Sequence, residues 1–326
     1  MIHSELQAAG VRDVQLRNSY QHCRALNAQH GRTFFLATRL LAPSQRPAVH
    51  ALYGFARHAD DILDELDPRL DMEVRAQRLE QLASKFFDGQ DHGDDPVLAA
   101  VLHTARTYQI PLDLFEDFLT SMRMDLTVTD YPDRDALNKY IRGSAEAIGL
   151  QLLPVLGTVG AVEEAAPYAA ALGEAFQLTN FLRDVDEDLA RQRVYLPADE
   201  LAQDGVDREL LIWCHTHRLT HPRVRRALAA QHAVTRDVYR FASKGIALLA
   251  PRSRPCVATA LTLYSEILDQ IEESDFAVFS HRATVGNRRR LRVAAVGLAR
   301  AWRARSFATA DMAGQPLSSR RQGRRS

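Results

Sequence analysis

The stretch "RHADDILDEL", Arg57 to Leu66, places four carboxylates within six positions: Asp60, Asp61, Asp64 and Glu65. On a helix advancing about 100° per residue, Leu52, Phe55, Ala56, Ala59, Ile62, Leu63 and Leu66 share one side and the acids lie opposite. Asp60/Asp64 and Asp61/Glu65 are then like-charge pairs one turn apart, each costing an isolated helix roughly 0.2–0.5 kcal/mol. Arg57, four residues before Asp61, is the one local compensation. Such a face is either solvated or built to grip something positive, and this window leaves both open.

A second stretch has the same character. In "AFQLTNFLRDVDEDLARQRVYLP", Ala175 to Pro197, helical spacing puts Gln177, Asn180, Asp184, Asp188 and Arg191 on one stripe. Leu178, Phe181, Leu182, Val185 and Leu189 fall on an adjoining apolar arc. Asp184 and Asp188 have no basic residue four positions away, and neutral Gln177 and Asn180 stand where a surface helix would carry Lys or Glu. Oxygen ligands at this density suit a hard cation. Magnesium takes few carboxylates, keeps waters and shares a substrate phosphate. Two solvated faces remain the bland alternative to a metal–diphosphate site. A third stretch, "HGRTFFLATRLL", offers Arg32 and Thr33 as holders of phosphate oxygens. Arg57 and Arg183 would add donors, or serve as internal salt-bridge partners.

The elements that must position these residues are helices. Apolar positions recur at helical spacing almost throughout and alternating runs are scarce. Prolines in "LAPSQRP", "LDPRL", "DDPVL", "QIPLDL", "AAPYA", "YLPADE" and "THPRV" read as boundaries and divide residues 15–305 into about ten or more helices. Pro154 interrupts the apolar run "GLQLLPVLGTVG" and is expected to kink or break a buried helix. No repeat or linker splits the chain, so residues 1–306 read as one domain. Residues 307–326 read as a disordered basic tail whose arginines could touch an anionic membrane surface.

With 326 residues, 46% hydrophobic and 25% charged, the composition suffices for a large core. Lys plus Arg balances Asp plus Glu at 41 each, giving no reason to expect a nucleic-acid partner. Cys23, Cys214 and Cys256 are scattered, as suits a reducing cytoplasm. The first twenty residues carry no basic-then-apolar leader, and no run of 18 apolar residues occurs, so a soluble cytoplasmic protein is expected.

Taken together, "RTFFLATRLL", "ALYGFARHADDILDE" and "QLTNFLRDVDEDLARQRVYLP" resemble the squalene/phytoene synthase family. "GSAEAIGLQLLPVLG" adds a likeness to the actinobacterial type of phytoene synthase, and "SMRMDL" and "YSEILDQIEESDFAVFSHR" extend it over nearly the whole chain. The resemblance implies an all-α isoprenoid synthase bundle around a central apolar cavity, lined by residues such as Phe34, Leu36, Leu150 and Leu178. It implies that Asp60 and Asp64, with Asp184, Asp188 and Asn180, bind Mg²⁺ or Mn²⁺ and through it diphosphate. His30, Gly31, Arg32, Thr33, Tyr53, Arg57, Gln177, Arg183, Tyr264 and Arg282 match positions that contact the diphosphate or the reacting prenyl ends. Asp60, Asp64, Asp184, Asp188, Tyr53 and Arg57 would carry catalysis. The implied reaction joins two geranylgeranyl diphosphates head to head, without NADPH. Its product is a C40 hydrocarbon, with transient contact at the inner membrane face for its release.

Two departures stand out. Asp186 occupies a position where relatives commonly have Gly, and Glu146 lies where they have a small residue. Glu146 is expected outside the cavity, pointing away from Ser144 and Ile148. The alternatives are a squalene or dehydrosqualene synthase using farnesyl diphosphate, which a small Thr38 weighs against, and a non-catalytic helical scaffold or assembly factor, which intact Asp motifs weigh against.

Overall fold

A computed structural model describes residues 2–64, 72–89 and 95–286, and beyond these 289, 292–293, 295–298 and 301. Of Arg32 and Asp64 it describes the backbone alone, and Glu65 and the expected basic tail lie outside the described residues. The chain folds as helices: α1 (Ile2–Ala8), α2 (Val14–His30), α3 (Arg32–Thr38), α4 (Arg46–Asp64), α5 (Met72–Asp88), α6 (Pro96–Tyr108) and α7 (Asp113–Thr127). There follow α8 (Arg134–Ile141), a π-helical turn (Arg142–Glu146), α9 (Ala147–Leu156), α10 (Val162–Arg183) and α11 (Val185–Ala190). The last are α12 (Ala198–Gln203), α13 (Arg208–His217), α14 (Pro222–Ser243), a 3₁₀ turn (Lys244–Leu248) and α15 (Arg254–Glu273). Strands β1 (Asp130–Tyr131) and β2 (Val194–Pro197) form one short parallel pair.

Acids away from the two motifs open helices. Asp13, Asp95, Asp133 and Asp207 each accept a hydrogen bond from a first-turn N–H of the helix they precede, satisfying donors that have no partner within the helix. Prolines behave as start signals at Pro96, Pro222 and Pro255. Two do not. Pro167, expected at a boundary, lies inside α10, and Pro154 lies inside α9 without breaking it. The buried flanks of α9, with Leu153 and Val155 at 1% exposure, hold the helix together, and it ends at Gly157, whose φ of 74° suits a residue without a Cβ.

Two apolar clusters flank α9. One unites α2, α4, α5, α6 and α7 around Phe55, Phe86, Phe115 and Phe118. The other unites α10, α13, α14 and α15 around Leu182, Leu211, Leu228, Leu263 and Leu268. Helix α9 packs on α4 and α7 on one side and on α10 on the other. Small residues allow that approach: a Cβ on Gly149 or Gly173 would collide with the backbone carbonyl of Ala169 or Ala145. Among the described residues, no helix is long and apolar enough to cross a membrane.

Candidate functional site

Helix α3 straps the two halves together. At its start Gly31 is buried against α2 and α4, donating its N–H to Asn27 O at 2.9 Å. A Cβ there would come within 2.6 Å of Asn27 Oδ1 and 2.8 Å of the Tyr53 ring. One turn later Phe34 meets Phe176 of α10 and Tyr264 of α15, ring centroids 6.0 and 5.2 Å away, while Phe176 stacks on Tyr264 at 4.3 Å. Segment 30–34 therefore touches the helix of the first acidic motif and that leading to the second. His30 is exposed at the end of α2, Thr33 is half-buried on α3, and the Arg32 side chain lies outside the described residues.

The first motif occupies the last two turns of α4. Arg57 pairs with Asp61 one turn on, so the expected local compensation forms. Its Nε is buried and has no acceptor among the described residues. Burial opposes the charge, but Asp61, Asp60 and Tyr53 hold the guanidinium protonated more firmly than usual. Burial likewise pushes the Tyr53 phenol above its ordinary pKa, with Asp60 and Asp61 adding to the effect against Arg57. Tyr53 is thus a hydrogen-bond donor beside the first acids. A cavity of about 620 Å³ opens between α4 and α5, walled by Arg57, His58, Asp61, Arg78, Gln81 and Lys85 among others. Phe34, Leu36, Leu150 and Leu178, which the resemblance places along an apolar chamber, are not among its walls. Of the residues expected to line that chamber, Phe34 packs in the aromatic trio and Leu178 is buried beside Tyr140 and Phe181.

At the second motif the expected stripe is not one helix. α10 ends at Arg183, Asp184 departs from helical geometry (φ −104°, ψ 13°), and α11 begins at Val185. Adjacent residues do not face each other on a regular helix, and here Arg183 donates to Asp184 through Nε at 2.7 Å and Nη2 at 2.5 Å. Arg282, arriving from beyond α15, donates to the same carboxylate at 2.7 Å and lies 3.2 Å from Glu187. Burial works against ionisation of Asp184, but these two guanidiniums hold its carboxyl below the usual range. Tyr264 adds its influence on Arg183, which joins the aromatic trio to the acids.

Asp188 has the opposite environment. Burial, with Asp184 and Glu187 nearby and Arg191 and Arg193 in opposition, pushes its carboxyl up to about 7. Asn180 Oδ1 is buried and accepts no hydrogen bond among the described residues, while its Nδ2 reaches Gln177 Oε1 at 3.4 Å. A desolvated carboxylate near another acid, and an orphaned amide oxygen one turn before Asp184, are hard oxygen donors that a divalent cation would satisfy. The residues fit such an ion. Among the described residues no three His, Cys, Asp or Glu side chains already form a metal cluster. Asp184 is turned toward arginine instead, and the Asp64 side chain is not described.

The two departures have plain partners. Asp186 accepts from His215 Nδ1 at 2.6 Å and pairs with Arg218, tying α11 to α13. Glu146 pairs with Arg142 at 3.5 Å and faces Glu174, whose carboxyl is raised by burial and by Glu146. Asp125, Tyr140, Arg193 and Tyr195, none of them a candidate from the sequence, form a hydrogen-bonded network beneath α11. "SMRMDL" contains Asp125 and "RVYLP" contains Arg193 and Tyr195, but nothing in either word says that they meet each other or Tyr140.

Residues 27–289 match the squalene/phytoene synthase family. A chloroplastic phytoene synthase of Daucus carota is 36% identical over 293 residues, spanning 88% of this chain and 72% of its own. The phytoene synthase of Arthrospira platensis is 36% identical over 281 residues, spanning 82% and 88%. Among solved structures, a dehydrosqualene synthase in complex with a ligand superposes with a TM-score of 0.76 at 24% identity, covering 90% of this chain and 98% of that one. A squalene synthase from Alicyclobacillus acidocaldarius gives 0.72 at 25%, covering 82% and 98%. The all-helical architecture is that of the isoprenoid synthases, and the chain belongs to the squalene/phytoene synthase family.

Proposed function

We propose that this protein is a phytoene synthase, a prenyltransferase that condenses two molecules of geranylgeranyl diphosphate head to head, through a cyclopropylcarbinyl diphosphate, to phytoene in carotenoid biosynthesis. The observation that carries the reading is the 34–36% identity to phytoene synthases over 82–88% of the chain. The arrangement of charge supports it. Asp60 and Asp64 on α4, with Asn180, Asp184 and Asp188 around the end of α10, would hold Mg²⁺ or Mn²⁺; when bound, that ion draws off the negative charge developing on the diphosphate leaving group.

The chain's own residues supply the rest. Arg57, Arg183 and Arg282 are fork donors for diphosphate oxygens, and Tyr53, kept protonated, donates alongside them. His30, Gly31, Arg32, Thr33 and Gln177 complete the surround. The faces of Phe34, Phe176 and Tyr264 offer π-density to an allylic cation, in an apolar setting that excludes water. A buried Thr38, 2% exposed, leaves room that a bulkier residue would take from a C20 chain. No reductant is needed, because the final cation is quenched by loss of a proton, which forms the central double bond, and not by addition of hydride. We take residues 1–306 as one catalytic domain working in the cytoplasm, at the membrane surface into which a C40 hydrocarbon must pass.

The test is a product assay. Purified protein with Mg²⁺ and geranylgeranyl diphosphate, without NADPH, is expected to yield phytoene in the organic extract, and chelator to abolish it. Dehydrosqualene, or squalene with NADPH, formed solely from farnesyl diphosphate would overturn the substrate. Folded protein silent with both substrates would overturn the enzyme.

A further inference from the structure

We infer that Asp125 is a positioning residue for the second acidic motif, setting how firmly the chain holds a divalent cation and diphosphate; the inference rests on the function proposed above. Asp125 stands in the last turn of α7, with its side chain only 7% exposed. A carboxylate near a helix C-terminus faces the negative end of the dipole, and burying it is costly unless it is fully paired. Side-chain donors converge on it. Tyr140 OH reaches Oδ2 at 2.8 Å, and Tyr195 OH and Arg193 Nη1 reach Oδ1 at 2.9 and 3.2 Å.

These partners lead to the motif from both ends. The Arg193 guanidinium also grips the backbone carbonyl of Asp125 at 2.5 Å and Tyr195 OH at 2.9 Å. The backbone N–H of the same Arg193 donates to Asp188 O at 2.8 Å, closing the end of α11. Next along the chain, Val194 N–H donates to Thr129 O at 2.9 Å, within the β1–β2 pairing. At the other end, the Tyr195 ring lies flat on Phe181, centroids 4.6 Å apart and planes 3° from parallel. Phe181 follows Asn180. One buried carboxylate therefore fixes both the tail of α11 behind Asp188 and the face of α10 behind Asn180. Burial, reinforced by Asp125, keeps the Tyr140 and Tyr195 phenols protonated, so both remain donors.

Partners behind metal ligands typically govern 10–100-fold in metal affinity or activity. Asp125→Asn keeps shape and one acceptor but loses the charge that holds Arg193; Tyr195→Phe keeps the stack on Phe181 and loses the bridging hydroxyl. Mn²⁺ binding in the presence of inorganic pyrophosphate, followed by electron paramagnetic resonance of the free ion, reads the site without turnover. In Asp125→Asn with an unchanged melting midpoint, the Mn²⁺ concentration for half-saturation is expected to rise about 10-fold or more. The Mg²⁺ requirement for turnover should move with it, and kcat at saturating metal should stay near wild type. Metal titrations that coincide with wild type, or a kcat loss at an unchanged metal requirement, would overturn the inference while leaving the proposed function standing. Should Asp125→Asn fail to fold, the same shift in Tyr195→Phe supports the inference and its absence overturns it. Wild-type protein that makes no metal-dependent product overturns the functional reading, and this one with it.

Discussion

Gly31 lies against the ring of Tyr53 so closely that a Cβ would sit 2.8 Å from two of its carbons. Its φ of −100° is open to any residue, so the constraint is space and not backbone freedom. Gly31→Ala must push Tyr53 or Asn27 aside, at the cost of about 1–3 kcal/mol expected for overpacking. Displacing the phenol from the first acids should lower turnover with geranylgeranyl diphosphate. A denaturation midpoint and a steady-state rate on the same preparation check both effects; wild-type values for both would mean that the neighbours absorb the methyl.

Arg282 shares the Asp184 carboxylate with Arg183, and the function proposed above makes it a donor to the diphosphate. Losing one charge-assisted hydrogen bond of about 1.5–3 kcal/mol should weaken inorganic pyrophosphate as an inhibitor by roughly 10–100-fold in Arg282→Gln. Arg282→Lys keeps the charge without the fork and should fall between. An inhibition constant unchanged in Arg282→Gln would remove this residue from the diphosphate surround.

How far the sequence reached depends on the range of the interaction. The Arg57–Asp61 pair is one helical turn, and spacing alone predicts it. The acids at Asp60, Asp184 and Asp188 stood out because their neighbours on a wheel left them uncompensated. Periodicity could not see that Asp184 leaves the helix, because the cause includes an arginine 98 positions later. Asp125 and Tyr195 are 70 residues apart and bonded. Each alone looks like an ordinary polar residue in an apolar word. Pro167 stays inside α10 and Pro154 inside α9 because packing, which no local rule contains, outweighs the loss of one helical hydrogen bond.

Asp186 exemplifies an acid in a motif that does other work. Its carboxylate joins His215 and Arg218 and so holds α11 to α13. Asp186→Gly should remove this tie and add the flexibility of glycine, a loss on the order of 1 kcal/mol. For a chain of this size that is about 2–4 °C or less in melting midpoint. The Mn²⁺ requirement should be unchanged below the transition. A large rise in it would make Asp186 a participant in metal binding.

His50 gives the fold a defined acid limit. It is 2% exposed, hydrogen-bonded to Asn27 Nδ2 at 3.0 Å and packed on Phe35 at 5.6 Å, so it ties α2, α3 and α4 where the Gly31 segment begins. Burial, with Arg24 and Arg46 adding to it, lowers its pKa to about 3. Unfolded, the ring titrates near its ordinary value of about 6.5. Between those values the unfolded chain binds the extra proton, so stability rises with pH and is lost as pH falls from about 6.5 toward 3. Each unit of difference corresponds to about 1.4 kcal/mol, which makes the total a few kcal/mol in order of magnitude. His50→Gln carries no titrating ring. It should be less stable than wild type at pH 7.5, having lost a fitted partner, yet lose less stability between pH 6.5 and 4.5. Urea midpoints across that range, for both proteins in metal-free buffer, provide the comparison. Parallel slopes would mean that another buried group sets the acid limit.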